Sequence, residues 1–279
     1  MSIFIMSALI AAIGAATGVS RTPTPFQLLE DGSLIVPVTI GGTGPYRFVL
    51  DTGSSRTVIS TRLWQQLRRP VVARTVMVTP AGRHDAYVVR LDDVTLGTRG
   101  GISVDAAVMP ADRYAAGQHV DGLIGQDVLA DAVYTIDYRQ QRIEWHAPSD
   151  PHSGVRLPLE VRDRRVLVVL PQRNDDPQPL SLIPDTGSDA VVLFARAADK
   201  LRMTRLDVDV LTSLAGARLV QRVRIDDLVV GDAHLRESPA VVVDNHDASG
   251  LMGDGLLPLH VFARVTINVG ERYLIVEPR

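Results

Sequence analysis

The chain has 279 residues, 46% of them apolar and 22% charged, which is ordinary globular usage and excludes a disordered tail protein or a coiled coil. With 29 basic against 32 acidic residues the formal net charge is −3, so no strong overall field draws the chain to nucleic acid. The absence of cysteine removes disulfides, thiolate metal sites and cysteine nucleophiles together.

The first predicted element is Ile3 to Ala16, an almost unbroken apolar run that is shorter than the roughly 20 residues a bilayer-spanning helix needs. Gly14 and Ala16 form a small-x-small pair of the kind a signal peptidase accepts. No basic residue precedes Arg21, which is unusual for a signal. Residues 1–20 are expected to be a signal peptide or N-terminal anchor, with a buried strand or helix as the bland alternative. The chain is accordingly expected to be exported, periplasmic or secreted, and to touch a membrane only through an uncleaved N-terminus.

Beyond residue 20 most apolar stretches are short, β-branched and bounded by turn formers, which is the strand signal. Strands are expected at Leu34–Ile40, Tyr46–Leu50, Val71–Val78, Tyr87–Leu91, Val133–Ile136, Val166–Leu170, Val220–Ile225, Ala240–Val243 and Tyr273–Val276. The Gly41–Pro45 segment joins the first two as a hairpin, since glycine supplies the positive φ of a tight turn. Its counterpart later in the chain is the polar loop Gln172–Pro179. Short helices are expected at Thr61–Leu67, capped by Ser60 or Thr61, and at Ala195–Leu201, with helical turns at Asp127–Ala130 and Leu256–Phe262. Residues 147–154 are rich in turn formers without apolar periodicity and read as a linker. The expected division is therefore 21–146, a linker at 147–154, and 155–279.

The two halves repeat each other. Asp51-Thr52-Gly53-Ser54 recurs 134 positions later as Asp185-Thr186-Gly187-Ser188. Ala81-Gly82, Val89-Arg90, Asp92-Asp93 and Gly97 recur at the same offset. A given three-residue string is expected about 0.05 times by chance in such a chain, so two copies with matching flanks mark a duplication. Further on, Gly122-Leu123-Ile124-Gly125 reads as matching Gly250-Leu251-Met252-Gly253.

Each repeated Asp follows a predicted strand, Phe48-Val49-Leu50 and Leu182-Ile183-Pro184, and precedes Thr-Gly, where a sharp turn presents a carboxylate with little freedom. Two lobes packed about a pseudo-twofold axis bring Asp51 and Asp185 to equivalent places. Neighbouring carboxylates cannot easily both ionise, so they share a proton and titrate as a pair. One can then act as base on a water while the other donates to the carbonyl oxygen under attack.

These residues resemble the aspartic proteases, specifically two retropepsin-like domains fused in one chain, over roughly residues 26 to 279. The resemblance implies an all-β fold of two similar β-barrel lobes about a pseudo-twofold axis, a monomer that is an intramolecular pseudo-dimer, and an aspartic endopeptidase working without metal or organic cofactor on a peptide or protein substrate. Asp51 and Asp185 take the place of the catalytic dyad. Thr52 and Thr186 would bond across the axis, Gly53 and Gly187 would leave room for water and substrate, and the hydroxyls of Ser54 and Ser188 would donate to the carboxylates. Such donors lower a carboxylate pKa, which implies an acidic optimum. Leu123-Ile124-Gly125 and Leu251-Met252-Gly253 resemble the family's braces for the two aspartate loops. Pro184 departs from the motif and implies an edge or distorted strand. Glycine-tipped flaps are expected at Pro80, Ala81 and Gly82 and at Leu214, Ala215 and Gly216; Tyr87 lies beyond the tip, which favours the retropepsin comparison.

Other readings carry less. A protein that kept the fold and lost activity would be a peptide-binding module. The seven histidines, His84, His119, His146, His152, His234, His246 and His260, show no metal-ligand spacing. Asp244-Asn245-His246-Asp247 lacks the glycine and terminal Glu of a calcium loop. No Gly-x-Ser-x-Gly elbow is present.

Overall fold

A computed structural model describes residues 22–110, 117–146, 153–171, 179–213, 216–244 and 250–279. The expected signal, the linker from 147 to 152, most of the Gln172–Pro179 loop, Leu214, Ala215 and residues 245–247 of the acidic loop lie outside the described residues.

The first copy runs β1 (Thr24–Pro25), β2 (Gln27–Leu28), β3 (Leu34–Ile40), β4 (Thr43–Leu50), β5 (Val58–Ser60), α1 (Thr61–Leu67), β6 (Val71–Thr79), β7 (Gly82–Leu96), β8 (Arg99–Met109), β9 (Gly122–Ile124), α2 (Gln126–Leu129), β10 (Val133–Asp137) and β11 (Arg142–His146). The second runs β12 (Val155–Arg162), β13 (Arg165–Leu170), β14 (Leu180–Asp185), β15 (Val191–Phe194), a 3-10 helix at Ala195–Lys200, β16 (Met203–Ser213), β17 (Gly216–Val230), β18 (Ala233–Val243), β19 (Gly255–Pro258), a 3-10 turn at Leu259–Val261, β20 (Phe262–Asn268) and β21 (Tyr273–Pro278).

The strand orders show the duplication directly. One lobe is ordered β2-β3-β4-β9-β5-β8-β7-β6 and the other β12-β13-β14-β19-β15-β18-β17-β16. Both expectations, an all-β chain and two similar lobes, hold. Between the lobes lies a sheet ordered β1-β11-β10-β20-β21-β12. At its centre β10 and β20 pair antiparallel with Thr135 opposite Thr266, and their hydroxyls bond at 2.6 Å. Residues exchange places about that pair, as a twofold interface requires. Strand β12 pairs with β21 through Val155–Pro158 and with β13 through Leu159–Arg162, so it ties the central sheet to the second lobe. The break between β1 and β2 does the same for the first.

The strands that carry the aspartates are buried on both faces. Phe48 and Leu50 of β4 join the main core, whereas Val49 packs in a smaller cluster with Val58 and Leu123. Ile183 of β14 packs likewise with Val192 and Leu256. Such a strand has a continuous apolar signal, which is why both were legible.

Helix α1 starts where expected, with the Ser60 hydroxyl accepting from the Leu63 N–H at 3.1 Å. The Ala195 segment is a 3-10 helix. Leu256–Phe262, read as a helical turn, is mostly not helical: Leu256–Pro258 is strand, paired in parallel with Ile183–Asp185, and only Leu259–Val261 turns. Tertiary pairing overrides the local preference there. Strand β14 is not an edge strand as Pro184 implied, since β13 and β19 flank it. The proline acts more locally. Pairing of β14 with β13 ends at Leu182, while in the first lobe Leu50, at the position of Pro184, still pairs with Leu34.

Candidate active site

Asp51 and Asp185 sit at the ends of β4 and β14, each held by a parallel neighbour. The Asp51 N–H donates to the Ile124 carbonyl of β9 at 2.9 Å, and Asp185 is in register with Pro258 of β19. The brace of the second lobe is therefore Gly255-Leu256-Leu257-Pro258, not Gly250-Leu251-Met252-Gly253. Three observations fix the correction. Leu123 is in register with Val49 and Leu256 with Ile183. The N–H of Asp121 donates to Arg47 and that of Asp254 to Ser181, each at 2.7 Å, with a return bond of 2.8 Å to each carboxylate. A Cβ on Gly122 would lie 2.2 Å from the Val58 carbonyl, and one on Gly255 would lie 2.0 Å from the Val192 carbonyl. Only glycine fits either place.

The two aspartate loops are locked together by their threonines. The Thr52 N–H donates to Thr186 Oγ1 and the Thr186 N–H to Thr52 Oγ1, both at 3.1 Å. Each hydroxyl then donates across the axis, Thr52 to the Pro184 carbonyl at 2.8 Å and Thr186 to the Leu50 carbonyl at 2.5 Å. Thr52 and Thr186 are 1% exposed, so removing one hydroxyl strands buried partners. Thr52→Val, and equally Thr186→Val, is expected to cost about 3 kcal/mol, because a buried N–H and a buried carbonyl each lose a partner. Urea unfolding measures this, and a loss under about 0.5 kcal/mol would show the bonds to be incidental. Gln126 adds a brace in the first lobe, its Nε2 donating to the Thr52 carbonyl at 2.8 Å. Leu259 occupies the matching place of the second lobe.

The carboxyl groups of Asp51 and Asp185 lie close enough for each to act on the other's titration, and both residues are 7% exposed. Burial raises Asp51 to about 6, against the lowering effect of N–H groups of Ser54 and Gly53 and of the Arg165 charge. Burial and the negative charge on Asp51 push Asp185 well above the ordinary carboxylate range. The serine hydroxyls do not reach the carboxylates: Ser54 donates to the Arg56 carbonyl at 2.8 Å and Ser188 to Ala190 at 2.7 Å. The donors are main-chain, Ser54 N–H to Asp51 at 2.9 Å and Gly187 N–H to Asp185 at 2.7 Å. Desolvation outweighs them, so the reason given above for an acidic optimum fails.

The pair faces a cavity of about 300 Å³ lined also by Gly53, Gly187, Thr75–Pro80 and Leu211–Ser213. The two latter stretches end the hairpins β6–β7 and β16–β17, whose ends meet: Thr79 Oγ1 and Ser213 Oγ lie 2.9 Å apart. Gly82 has φ +140° and Gly216 +122°, the conformations glycine supplies at such tips. Of the predicted flap residues Pro80 lines the cavity, whereas Ala81, Gly82 and Gly216 do not. The lining comes from the strands below the tips, of which Val71–Val78 was expected as a strand and Met203–Ser213 was not. Asp163, Arg164 and Arg165, from the turn entering β13, also line it; no sequence pattern pointed to them.

No curated protein matches the chain. The family model for aspartyl protease matches residues 36–128 and again residues 171–260, one match for each aspartate loop and together most of the chain. A duplicated match that falls on the two lobes, over a shared carboxyl pair, makes this chain a member of the aspartyl protease family.

Proposed function

We propose that the protein is an aspartic endopeptidase whose water nucleophile is activated between Asp51 and Asp185. The observation that carries this reading is the buried, mutually interacting carboxyl pair beneath two hairpins. The lower-titrating Asp51 takes a proton from the water as its oxygen attacks the peptide carbonyl carbon. Asp185, which keeps its proton, donates to the carbonyl oxygen. The C–N bond of the tetrahedral intermediate then breaks as Asp51 passes its proton to the departing nitrogen and Asp185 takes one back from a hydroxyl of the intermediate, which releases the acid and the amine and restores the pair. The substrate lies extended in the groove, bonding through its main chain to the hairpins.

The test is a mixed peptide library incubated with the purified protein from pH 3 to pH 8, with and without a statine-type mimic of the tetrahedral state. Cleavage blocked by the mimic is the expected result. A folded protein that binds peptides and cleaves none would move the reading to the peptide-binding module.

The pH profile has a defined sign. The base is ionised only above the first titration of the pair, and Asp51 is raised to about 6. Turnover should therefore climb as pH rises through 6 and fall only when Asp185 gives up its proton. Plotting kcat/KM against pH checks this; a maximum near pH 3 to 4 would contradict it.

A further inference from the structure

The groove is symmetric in fold and asymmetric in charge. The turn joining β12 to β13 carries Arg162, Asp163, Arg164 and Arg165. The matching turn of the first lobe, Leu29–Ser33, carries Glu30 and Asp31 and no cation. Arg164 and Arg165 line the cavity together with Arg56, whose counterpart in the second lobe is Ala190. At the opposite end Asp189 replaces Ser55, and the His260 ring, against which a Cβ on Gly32 would lie at 2.5 Å, is surrounded by the charges of Asp31, Asp189 and Arg279.

Arg165 is the cation whose charge is felt by both aspartates of the pair. Its Nη1 donates to the Gly53 carbonyl at 3.3 Å, and its charge acts on both Asp51 and Asp185. It forms no ion pair among the described residues. A guanidinium has five N–H donors in a planar fork suited to a carboxylate, and one long bond to a main-chain oxygen uses little of that capacity. Arg165 itself lines the cavity.

We infer that Arg165, in a cavity that Arg164 and Arg56 also line, is a carboxylate-binding subsite, so that the substrate carries a carboxylate at this end of the groove. At about 3.3 Å per extended residue the carboxylate lies within about two residues of the cut bond. Its source is an acidic side chain or the C-terminus of the substrate. The inference deepens the peptidase reading and rests on it for the term substrate. Arg165 is a specificity residue here, since it meets the substrate away from the reacting atoms.

The test is direct binding of short peptides with a central uncharged hydroxyethylene link, carrying Glu, Gln or Lys at each other position in turn, each made as the C-terminal acid and the amide. At one position, or at the terminus, the wild-type protein should favour the carboxylate over its neutral counterpart at least about tenfold, as a charge-assisted bidentate contact provides. Arg165→Gln should bring that ratio near one, Arg165→Lys should restore part of it, and Arg165→Glu should turn the preference toward Lys. The acid and amide arms tell side chain from terminus. Equal binding of Glu and Gln peptides with no effect of the C-terminal acid, or a ratio that survives Arg165→Gln, would overturn the subsite. Because the readout is a ratio of affinities, it is independent of turnover: cleavage without acidic preference removes the subsite and leaves the peptidase, and acidic preference without cleavage does the reverse.

Discussion

Asp51→Asn, and separately Asp185→Asn, should lower peptide turnover by about 10³-fold or more, since each removes one half of an acid–base pair. The asparagine side chain can still accept the N–H bond from Ser54 or Gly187 that holds the aspartate, so the loop geometry survives. Stability should move the other way at high pH. A carboxyl whose folded pKa is raised binds its proton more tightly in the folded state, so its contribution is greatest at low pH. Between the ordinary 3.8 and about 6 for Asp51, the folded state holds more protons than the unfolded one, and stability falls as pH rises through that window. Asparagine carries no charge to bury and escapes the fall. Calorimetry at pH 4 and pH 8 should therefore show the variants gaining on the wild type as pH increases. A variant that hydrolyses peptides at more than a tenth of the wild-type rate would end the dyad mechanism. Stability lost equally at both pH values would show that burial is not what perturbs the pair.

Gly53→Ala should cost about 10²-fold in kcat for a different reason. The added Cβ would lie 2.5 Å from the Asp185 Cγ, with the carboxylate oxygens at 2.6 and 2.8 Å. Ordinary contact begins near 3.4 Å, so the carboxyl must retreat by most of an ångström. Misplacement of this size at a reacting group costs about two orders of magnitude. The backbone itself tolerates the change, because Gly53 is not among the residues with positive φ. Circular dichroism and urea unfolding should thus stay near wild type while turnover collapses. Full activity in Gly53→Ala would mean that Asp185 has room to move without consequence, which the threonine lock around it argues against.

How much of this was readable in advance depended on whether the signal was local. The strands that deliver the aspartates were visible because burial on both faces leaves an unbroken apolar run, as in Phe48-Val49-Leu50. The Ser60 cap was visible because it is a local side-chain-to-backbone bond. The brace of the second lobe was misplaced because Gly250-Leu251-Met252-Gly253 is the better string match, whereas Gly255-Leu256-Leu257-Pro258 occupies the register beside β14. A register is a long-range hydrogen-bond pattern that string similarity does not encode. The serine hydroxyls were assigned to the carboxylates by analogy, yet Arg56 and Ala190 offer carbonyls two residues away, and the shorter path wins.

The sequence by itself determined the duplication, the all-β character, the two aspartates and the threonines beside them, because each is written in residue type and spacing that recur at one offset. The tertiary structure alone decided which glycine braces the second loop, that burial rather than hydroxyl donors governs the carboxyl pair, and that Arg165 lies beside it. Arg165 stands 20 positions before Asp185 in the chain, and its nearest bond is to Gly53 in the other lobe. Contacts made across a pseudo-twofold axis depend on how two folded lobes pack, and solvent exclusion exists only once they have packed.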